Sequence, residues 1–299
     1  MAEMTVELTL PWAHHPSTFS MLRLGSVDPT VRSGPSGIVV ALTDCVVTLR
    51  WECFGGSTTY RATFDGTVDQ PEATLRLLTG ADFQSLSSAD VHPRVAESTR
   101  RHRTLRIAGN GLTFVEVVKA VLGQRITGRE AALQWSRLVR ATSEPLNSYA
   151  ELGLYRVPRP DAVLRLSTST FHQLGIEERR ARTIRQLADL ALRGHLDHVT
   201  SSDALVAVTR DVIGFGPWSV AVASGNAFGD PDALPVGDFH LKNTISWVLA
   251  GRARGTDEEM VELLAPYRGW RWWVTRSLSL DSRAPRFDHR RRNIDIRTM

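Results

Sequence analysis

Cysteine is scarce. The chain of 299 residues holds two, Cys45 and Cys53, too few for a disulfide framework, a four-cysteine zinc site or an iron–sulfur cluster. That usage fits a reducing, cytoplasmic setting. Lysine is as rare, present only as Lys119 and Lys242, so nearly all positive charge is arginine, a bias that genomic base composition explains. Long apolar runs are missing too: none approaches the roughly 20 residues a spanning helix needs, so no membrane segment is expected. The first residues, Met1 to Glu7, carry two acids and no base, the wrong pattern for a secretory signal. The histidines His14, His15, His172, His195 and His240 show no metal-ligand spacing, and no metal site is expected from them.

Hydrophobic residues make up 42% and charged residues 23%, the balance of a soluble globular protein rather than a disordered or fibrous one. At one domain per roughly 150 residues, two domains are expected. The net charge of +4 permits a polyanionic partner without requiring one.

The first hundred residues read as strands. Val6, Leu8 and Leu10 alternate with Thr5, Glu7 and Thr9, and Tyr60, Ala62 and Phe64 alternate with Arg61 and Thr63. Gly37 to Leu42 and Cys45 to Trp51 read as buried strands of the same antiparallel sheet. Alternation stops around Ser87 to Thr104. From Leu112 the period is helical: Val115, Val118 and Leu122, then Ala132, Trp135 and Val139, each share one face. Thr127 with Glu130 has the form of a capping box. After the Pro-rich connection from Val157 to Asp161, Ile184, Leu187, Ala188 and Ala191 line a helix whose other face carries Arg179, Arg180, Arg182 and Arg185. Further helices are marked by Leu205, Val208 and Val212, by Pro217 to Phe228, and by Leu241, Ile245, Val248 and Leu249. Thr256 with Glu259 caps one more. The expected fold is α+β: a β-rich domain over residues 1–103, an all-helical domain over 104–282, and a basic tail over 283–299.

Asp211 to Ser219 is the most informative stretch. Gly214 and Gly216 let the backbone turn sharply between two helices and let a bulky partner come close. Pro217 opens the second helix, where its missing amide hydrogen costs nothing. Amides at that helix start carry the positive end of its dipole and suit a phosphate. An ordinary helix connection explains the glycines equally well. Asp238 follows in Leu234 to Lys242, before another helix; it can cap that helix or face a cleft beside the hairpin.

Together these segments resemble the helix-hairpin-helix superfamily of base-excision DNA glycosylases, most closely its alkylpurine branch, 3-methyladenine DNA glycosylase II. The resemblance runs from about Leu112 to Leu280, through Val121 to Thr127, the hairpin with Trp218, the segment ending in Asp238, and Tyr267 to Arg271. The β-rich part is similar to the small sheet domain of that branch. The resemblance implies a monofunctional glycosylase that flips alkylated purines out of duplex DNA, acting as a monomer. Asp238 would stabilise the oxocarbenium character of the sugar. Trp218 and Val222 would line the base pocket, Val222 standing where an aromatic is often found. Gln124, Arg125, Gly214, Phe215, Gly216 and Lys242 would meet DNA. Arg125 takes the place of a wedge that is often apolar, and Lys242 reads as an ion-pair or phosphate contact. Strand-nicking relatives carry a lysine where this chain has Trp218, so no lyase activity is implied. The branch needs no organic cofactor, though hairpin carbonyls near Val212 to Gly216 commonly hold a monovalent cation. Two alternatives remain: a glycosylase for an oxidised or deaminated purine, and a helix-hairpin-helix module that binds DNA or lesions without catalysis.

Overall fold

The computed structural model describes residues 4–84, 86 and 91–285; of the basic tail, residues 286–299 lie outside it. Five strands, β1 (Met4–Leu10), β2 (Val31–Ser33), β3 (Gly37–Ala41), β4 (Cys45–Phe54) and β5 (Ser57–Gly66), form an antiparallel sheet of order β1-β5-β4-β3-β2. Alternation sets its buried face: Ile38, Val40, Val47, Leu49, Tyr60, Ala62 and Phe64 share one core, as side chains two apart along a strand must.

Twelve α-helices follow among the described residues. The first six are α1 (Pro71–Thr79), α2 (Pro93–Arg101), α3 (Thr113–Leu122), α4 (Gly128–Thr142), α5 (Pro160–Leu164) and α6 (Thr168–Gln173). The rest are α7 (Glu178–Leu192), α8 (Ser202–Thr209), α9 (Pro217–Phe228), α10 (Leu241–Ala250), α11 (Asp257–Leu264) and α12 (Arg271–Asp281). Two of them, α1 and α2, fall within the segment whose sequence shows chiefly strand alternation. Each is opened by a proline in its first turn. Leu75 and Leu78 of α1 complete the sheet core, whereas Val95 of α2 joins Trp273 and Leu278 in the core under α10 to α12.

The helical half has two cores. One gathers Val117, Val121, Trp135, Leu138, Ile184, Leu187 and Phe215 from α3, α4, α7 and the hairpin. The other gathers Ile245, Met260, Leu264, Trp273 and Val274 from α10 to α12. The capping residues sit as their spacing implies: Thr127 accepts from the Glu130 amide at 3.2 Å, and Thr256 from that of Glu259 at 3.1 Å.

One arginine assignment changes. Arg180 is buried, unlike its neighbours Arg179 and Arg182. Its Nη1 donates to the Leu122 carbonyl at 3.0 Å and to Gln134 Oε1 at 2.9 Å, fastening α7 to the ends of α3 and α4. Lys119 is also buried, 3.0 Å from Glu116 and 3.6 Å from Asp28. Burial opposes its charge, but Glu116 and Asp28 outweigh it and hold the ammonium above the ordinary lysine value. Asp28 in turn accepts from Trp135 Nε1 at 2.9 Å, so this cluster ties the strand-bearing segment to α3 and α4.

Candidate functional site

The hairpin between α8 and α9 begins where α8 ends at Thr209; Val212 turns back into the core. Gly214 has φ +91°, and a Cβ there would lie 2.6 Å from Thr183 Oγ1. That hydroxyl donates to the Ile213 carbonyl at 2.8 Å, which clamps the hairpin onto α7. Gly216 needs no unusual backbone angle, and a Cβ on it would meet nothing within 4 Å. Its effect is to leave the start of α9 open. Ile213 is 78% exposed at the tip, while the Phe215 side chain is buried in the helical core. Phe215 therefore has only backbone to offer a partner. The first bond within α9 runs from the Val220 amide to the Gly216 carbonyl, so the amides of Trp218 and Ser219 precede the helical ladder and point along its positive end.

Gln124 closes the hairpin from the other side. Its Nε2 donates to the Gly214 carbonyl at 2.8 Å and to Ser219 Oγ at 2.9 Å. This side chain is a brace for the turn, directed inward. Arg125 beside it is exposed and has φ 57°, the left-handed region that costs a residue with a Cβ roughly 1–2 kcal/mol. Such a conformation persists only where its surroundings impose it; here Gln124 and Arg180 hold the chain immediately before it.

Asp238 precedes α10 and is half-buried. Its Oδ1 accepts from the amides of His240 and Leu241, both at 2.9 Å, so it caps the helix. Its Oδ2 accepts from Trp218 Nε1 at 3.3 Å. The two fates open in the sequence, cap and site, are thus divided between the two oxygens. Asp257 fixes the approach to Asp238: Oδ1 accepts from the Gly237 amide and Oδ2 from Lys242 Nζ, each at 2.8 Å. Lys242 is accordingly an ion-pair partner in this structure.

Gly225 and Trp272 bear on the site without a signal in the sequence, and Gly123, part of the Val121 to Thr127 motif, has a role there that the motif does not spell out. Gly123 lets the Trp218 ring close in, since a Cβ there would come within 3.2 Å of its Cη2. Gly225 lies two turns beyond Trp218 on the face of α9 that also carries Val222. Against it stands Trp272 of α12, whose Nε1 would lie 2.9 Å from a Cβ at Gly225 and is buried without a hydrogen-bond partner. Only the close approaches reveal them. The Tyr267 to Arg271 motif braces this junction. Arg271 Nε donates to Asp232 Oδ1 at 2.8 Å and its Nη2 to Oδ2 at 2.6 Å, linking α12 to the loop that leads to Asp238. Burial works to raise the Asp232 pKa, but those bonds prevail and hold its carboxyl below the usual range.

A groove of about 860 Å³ runs along α8 and the opposite side of the α9 start, past Phe215, Pro217 and Val220. Neither Asp238 nor Trp218 lines it, and two of its three acids, Asp230 and Asp232, are already bonded to Ser202 and Arg271, the third being Asp203. The arrangement with chemical capacity is the carboxylate of Asp238 against the indole of Trp218: an anion and an electron-rich ring side by side suit a developing or fixed positive charge. Among the described residues no group of three or more His, Cys, Asp or Glu side chains could hold a metal ion, and no helix is long and apolar enough to cross a membrane.

Comparison with known proteins gives a consistent family. The model of the HhH-GPD superfamily of base excision DNA repair proteins matches residues 118–268, just over half of the chain. A probable bifunctional transcriptional activator/DNA repair enzyme AlkA of Mycobacterium tuberculosis is 28% identical over 170 residues, 54% of this chain. The match spans about a third of that relative, 32% of its length. Among solved structures, a 3-methyladenine DNA-glycosylase from Archaeoglobus fulgidus superposes with TM-score 0.71 at 15% identity, covering 92% of this chain and 98% of the other. An 8-oxoguanine glycosylase/lyase of Clostridium acetobutylicum, in complex with double-stranded DNA, gives TM-score 0.62 at 11% identity, covering 86% and 90%. These two likenesses concern the fold.

Proposed function

The chain belongs to the HhH-GPD superfamily of base excision DNA repair proteins, and from that premise we propose that it is a monofunctional DNA glycosylase releasing alkylated purines of the 3-methyladenine type from duplex DNA. The observation that carries this reading is the 3.3 Å approach of Trp218 Nε1 to Asp238 Oδ2. It puts a carboxylate and an aromatic face at one spot, which is what an everted, positively charged base on a breaking glycosidic bond requires.

In this mechanism the bond between sugar C1′ and the purine nitrogen breaks, and its electron pair leaves with the base. A base that already carries positive charge departs neutral, so it needs no proton from an acid. The positive character left on the sugar is stabilised by Asp238, and a water adds to C1′ and loses a proton. Turning the base out of the stack costs a few kcal/mol, less for a poorly stacked lesion. The hairpin amides and the exposed Arg125 are assigned to the adjacent strand, Arg125 filling the gap. Gln124 acts through the hairpin it braces. The Ile213 and Gly214 carbonyls already accept side-chain bonds; each has a second lone pair, and a monovalent cation at the hairpin would share these carbonyls with Thr183 and Gln124.

The proposed absence of lyase activity is supported by Trp218, which has no amine to form a Schiff base, and by Lys242, whose ammonium is engaged by Asp257. The protein is proposed to act as a monomer on damaged DNA in the cytoplasm. The decisive measurement is the set of bases liberated from alkylated genomic DNA by the wild type and by Asp238→Asn. Release of 3-methyladenine by the wild type, abolished in the variant while duplex binding is retained, is expected. Unchanged release by the variant overturns the role of Asp238; release of an oxidised guanine with no 3-methyladenine overturns the substrate.

A further inference from the structure

Of the four arginines Arg179, Arg180, Arg182 and Arg185 on α7, three are engaged within the protein. Arg180 fastens the helix to the Leu122 carbonyl at the end of α3. Arg182 Nη2 donates to Glu178 Oε1 at 2.8 Å. Arg185 Nη2 donates to the Leu166 carbonyl at 2.7 Å, and its guanidinium carbon lies 4.9 Å from the centre of the Phe171 ring. Just beyond the far end of the helix, Arg193 pairs with Asp189 at 2.9 Å. Arg179 differs. It is exposed, and among the described residues its side chain has no hydrogen bond or ion pair. The acids beside it serve its neighbours: Glu178 pairs with Arg182, and Glu177 lies 3.9 Å from Arg180 Nη2.

Thr183 places Arg179 at the hairpin. It lies one turn further along the same face of α7, and its Oγ1 is 2.8 Å from the Ile213 carbonyl and 3.2 Å from the Arg179 carbonyl. One hydroxyl thus spans the backbone at the hairpin tip and the backbone of Arg179. A helical side chain leans toward the N-terminus of its own helix, here the first turn of α7, which Arg180 holds against Leu122. From Leu122 the chain runs on to Gln124, itself bonded to the Gly214 carbonyl, and to the exposed Arg125. Arg179, the exposed Ile213 and Arg125 therefore border one surface, continuous with the open start of α9.

An exposed guanidinium costs nothing in water and by itself calls for no ligand; its surroundings supply one. The amides of Trp218 and Ser219 suit one phosphate. A strand that sets a phosphate there carries the next one along the hairpin, since phosphates recur about every 3.4 Å of helix axis on each strand. A guanidinium takes phosphate oxygens in bidentate fashion. We propose that Arg179 is a phosphate contact that lengthens the hold of the hairpin on the lesion-bearing strand by one nucleotide and adds to affinity without taking part in base release. This rests on the reading above in taking the hairpin amides as the seat of a DNA phosphate. Such a contact is blind to sequence and damage, so it serves undamaged DNA as much as a lesion.

The test is titration of an undamaged duplex over a range of salt with wild type, Arg179→Gln, Arg179→Lys and Arg193→Gln. The last removes an equal charge from an exposed position about 20 Å away along α7. Arg179→Gln is expected to bind roughly 3- to 10-fold more weakly at low salt, with a log–log salt slope shallower by about one. Arg179→Lys should keep the slope, and Arg193→Gln should match the wild type. Single-turnover release of 3-methyladenine at saturating enzyme is expected to be equal in all four. The strand is identified with a duplex carrying one abasic site, which fixes the register, and a single neutral methylphosphonate at successive positions in either strand. One position in the abasic strand should weaken the wild type and leave Arg179→Gln unaffected. An unchanged slope in Arg179→Gln, or an equal loss in Arg193→Gln, overturns the contact. A responsive position in the complementary strand overturns the strand assignment, and slower release at saturation overturns the separation of affinity from chemistry. A wild type that shows the expected binding yet releases no base leaves the contact standing and overturns the glycosylase reading alone.

Discussion

Trp218 and Asp238 stand 20 residues apart in the chain and meet at 3.3 Å through indole Nε1 and carboxylate Oδ2. Each is fixed from behind by an element that has no part in the chemistry. The ring rests against Gly123 at the end of α3. The carboxylate is held by two amides at the start of α10, in a loop that Asp257 anchors. Positioning by backbone amides is stiff, because moving Asp238 would uncover the first turn of α10.

This arrangement separates the hydrogen bond of Trp218 from its ring. Trp218→Phe removes the donor and keeps an aromatic wall; a hydrogen bond to a charged group is worth about 1.5–3 kcal/mol, and the 3.3 Å length favours the lower end. Single-turnover base release is therefore expected to fall about tenfold. Trp218→Ala removes the wall as well and is expected to cost at least another factor of ten. Equal effects of the two variants would show that the indole hydrogen, not the ring, is what matters.

Gly214 is constrained twice, by its φ of +91° and by Thr183 Oγ1 lying 2.6 Å from where a Cβ would be. Gly214→Ala is expected to lower stability by about 1–3 kcal/mol and to weaken binding of undamaged duplex, since the hairpin must shift. Adding Thr183→Ala relieves the contact but leaves the backbone strain. The double variant should recover stability only in part, as thermal unfolding and duplex titration would report. Full recovery would mean that the contact alone made the glycine necessary.

Much of this was legible in the residues, and the exceptions share one cause. Strand alternation around Tyr60 to Phe64 and the helical stripe of Val115, Val118 and Leu122 come from burying one face of a periodic element, so periodicity reveals them. Asp238 and Trp218 stand out because Gly, Pro, Trp and Asp mark a turn and its sequel. Arg180 escaped because charge normally signals solvent; its burial depends on the Leu122 carbonyl and Gln134, partners from distant positions. Phe215 lies in a hairpin whose backbone faces out while its ring faces in, a division that residue type does not encode. Trp272 sits on a helix with no clear apolar stripe, and only the approach of α12 to Gly225 gives it a place beside α9.

Lys242 carries its charge next to the candidate site, yet Asp257 neutralises it at 2.8 Å. Asp257→Asn retains an oxygen for the Gly237 amide while removing the counter-charge. Affinity for undamaged duplex is expected to rise at low salt, with the log–log salt slope steeper by up to about one. Base release should change little if the loop stays in place. An unchanged slope would show that the freed ammonium does not face DNA.

A last expectation concerns acid. His14 and His15, beside the sheet, are each lowered to about 4. Burial is the main cause for both, reinforced by His15 for His14, and by His102 and Arg106 for His15. Their bonds agree with neutral rings: the Ser17 amide donates to His15 Nδ1 at 3.1 Å, His15 Nε2 lies 3.1 Å from His102 Nδ1, and His14 Nδ1 lies 3.0 Å from the Tyr60 hydroxyl. Because the folded values lie below the ordinary 6.5, the unfolded chain binds more protons between about pH 6.5 and 4, and stability falls as the pH falls through that window. His14→Phe, which keeps the stack on Trp51 and Phe19, is expected to lower the Tm at pH 7 modestly through the lost bond to Tyr60. It should also flatten the decline of Tm between pH 6.5 and 4. A variant whose Tm declines as steeply as that of the wild type would show that His14 takes up its proton without leaving the fold.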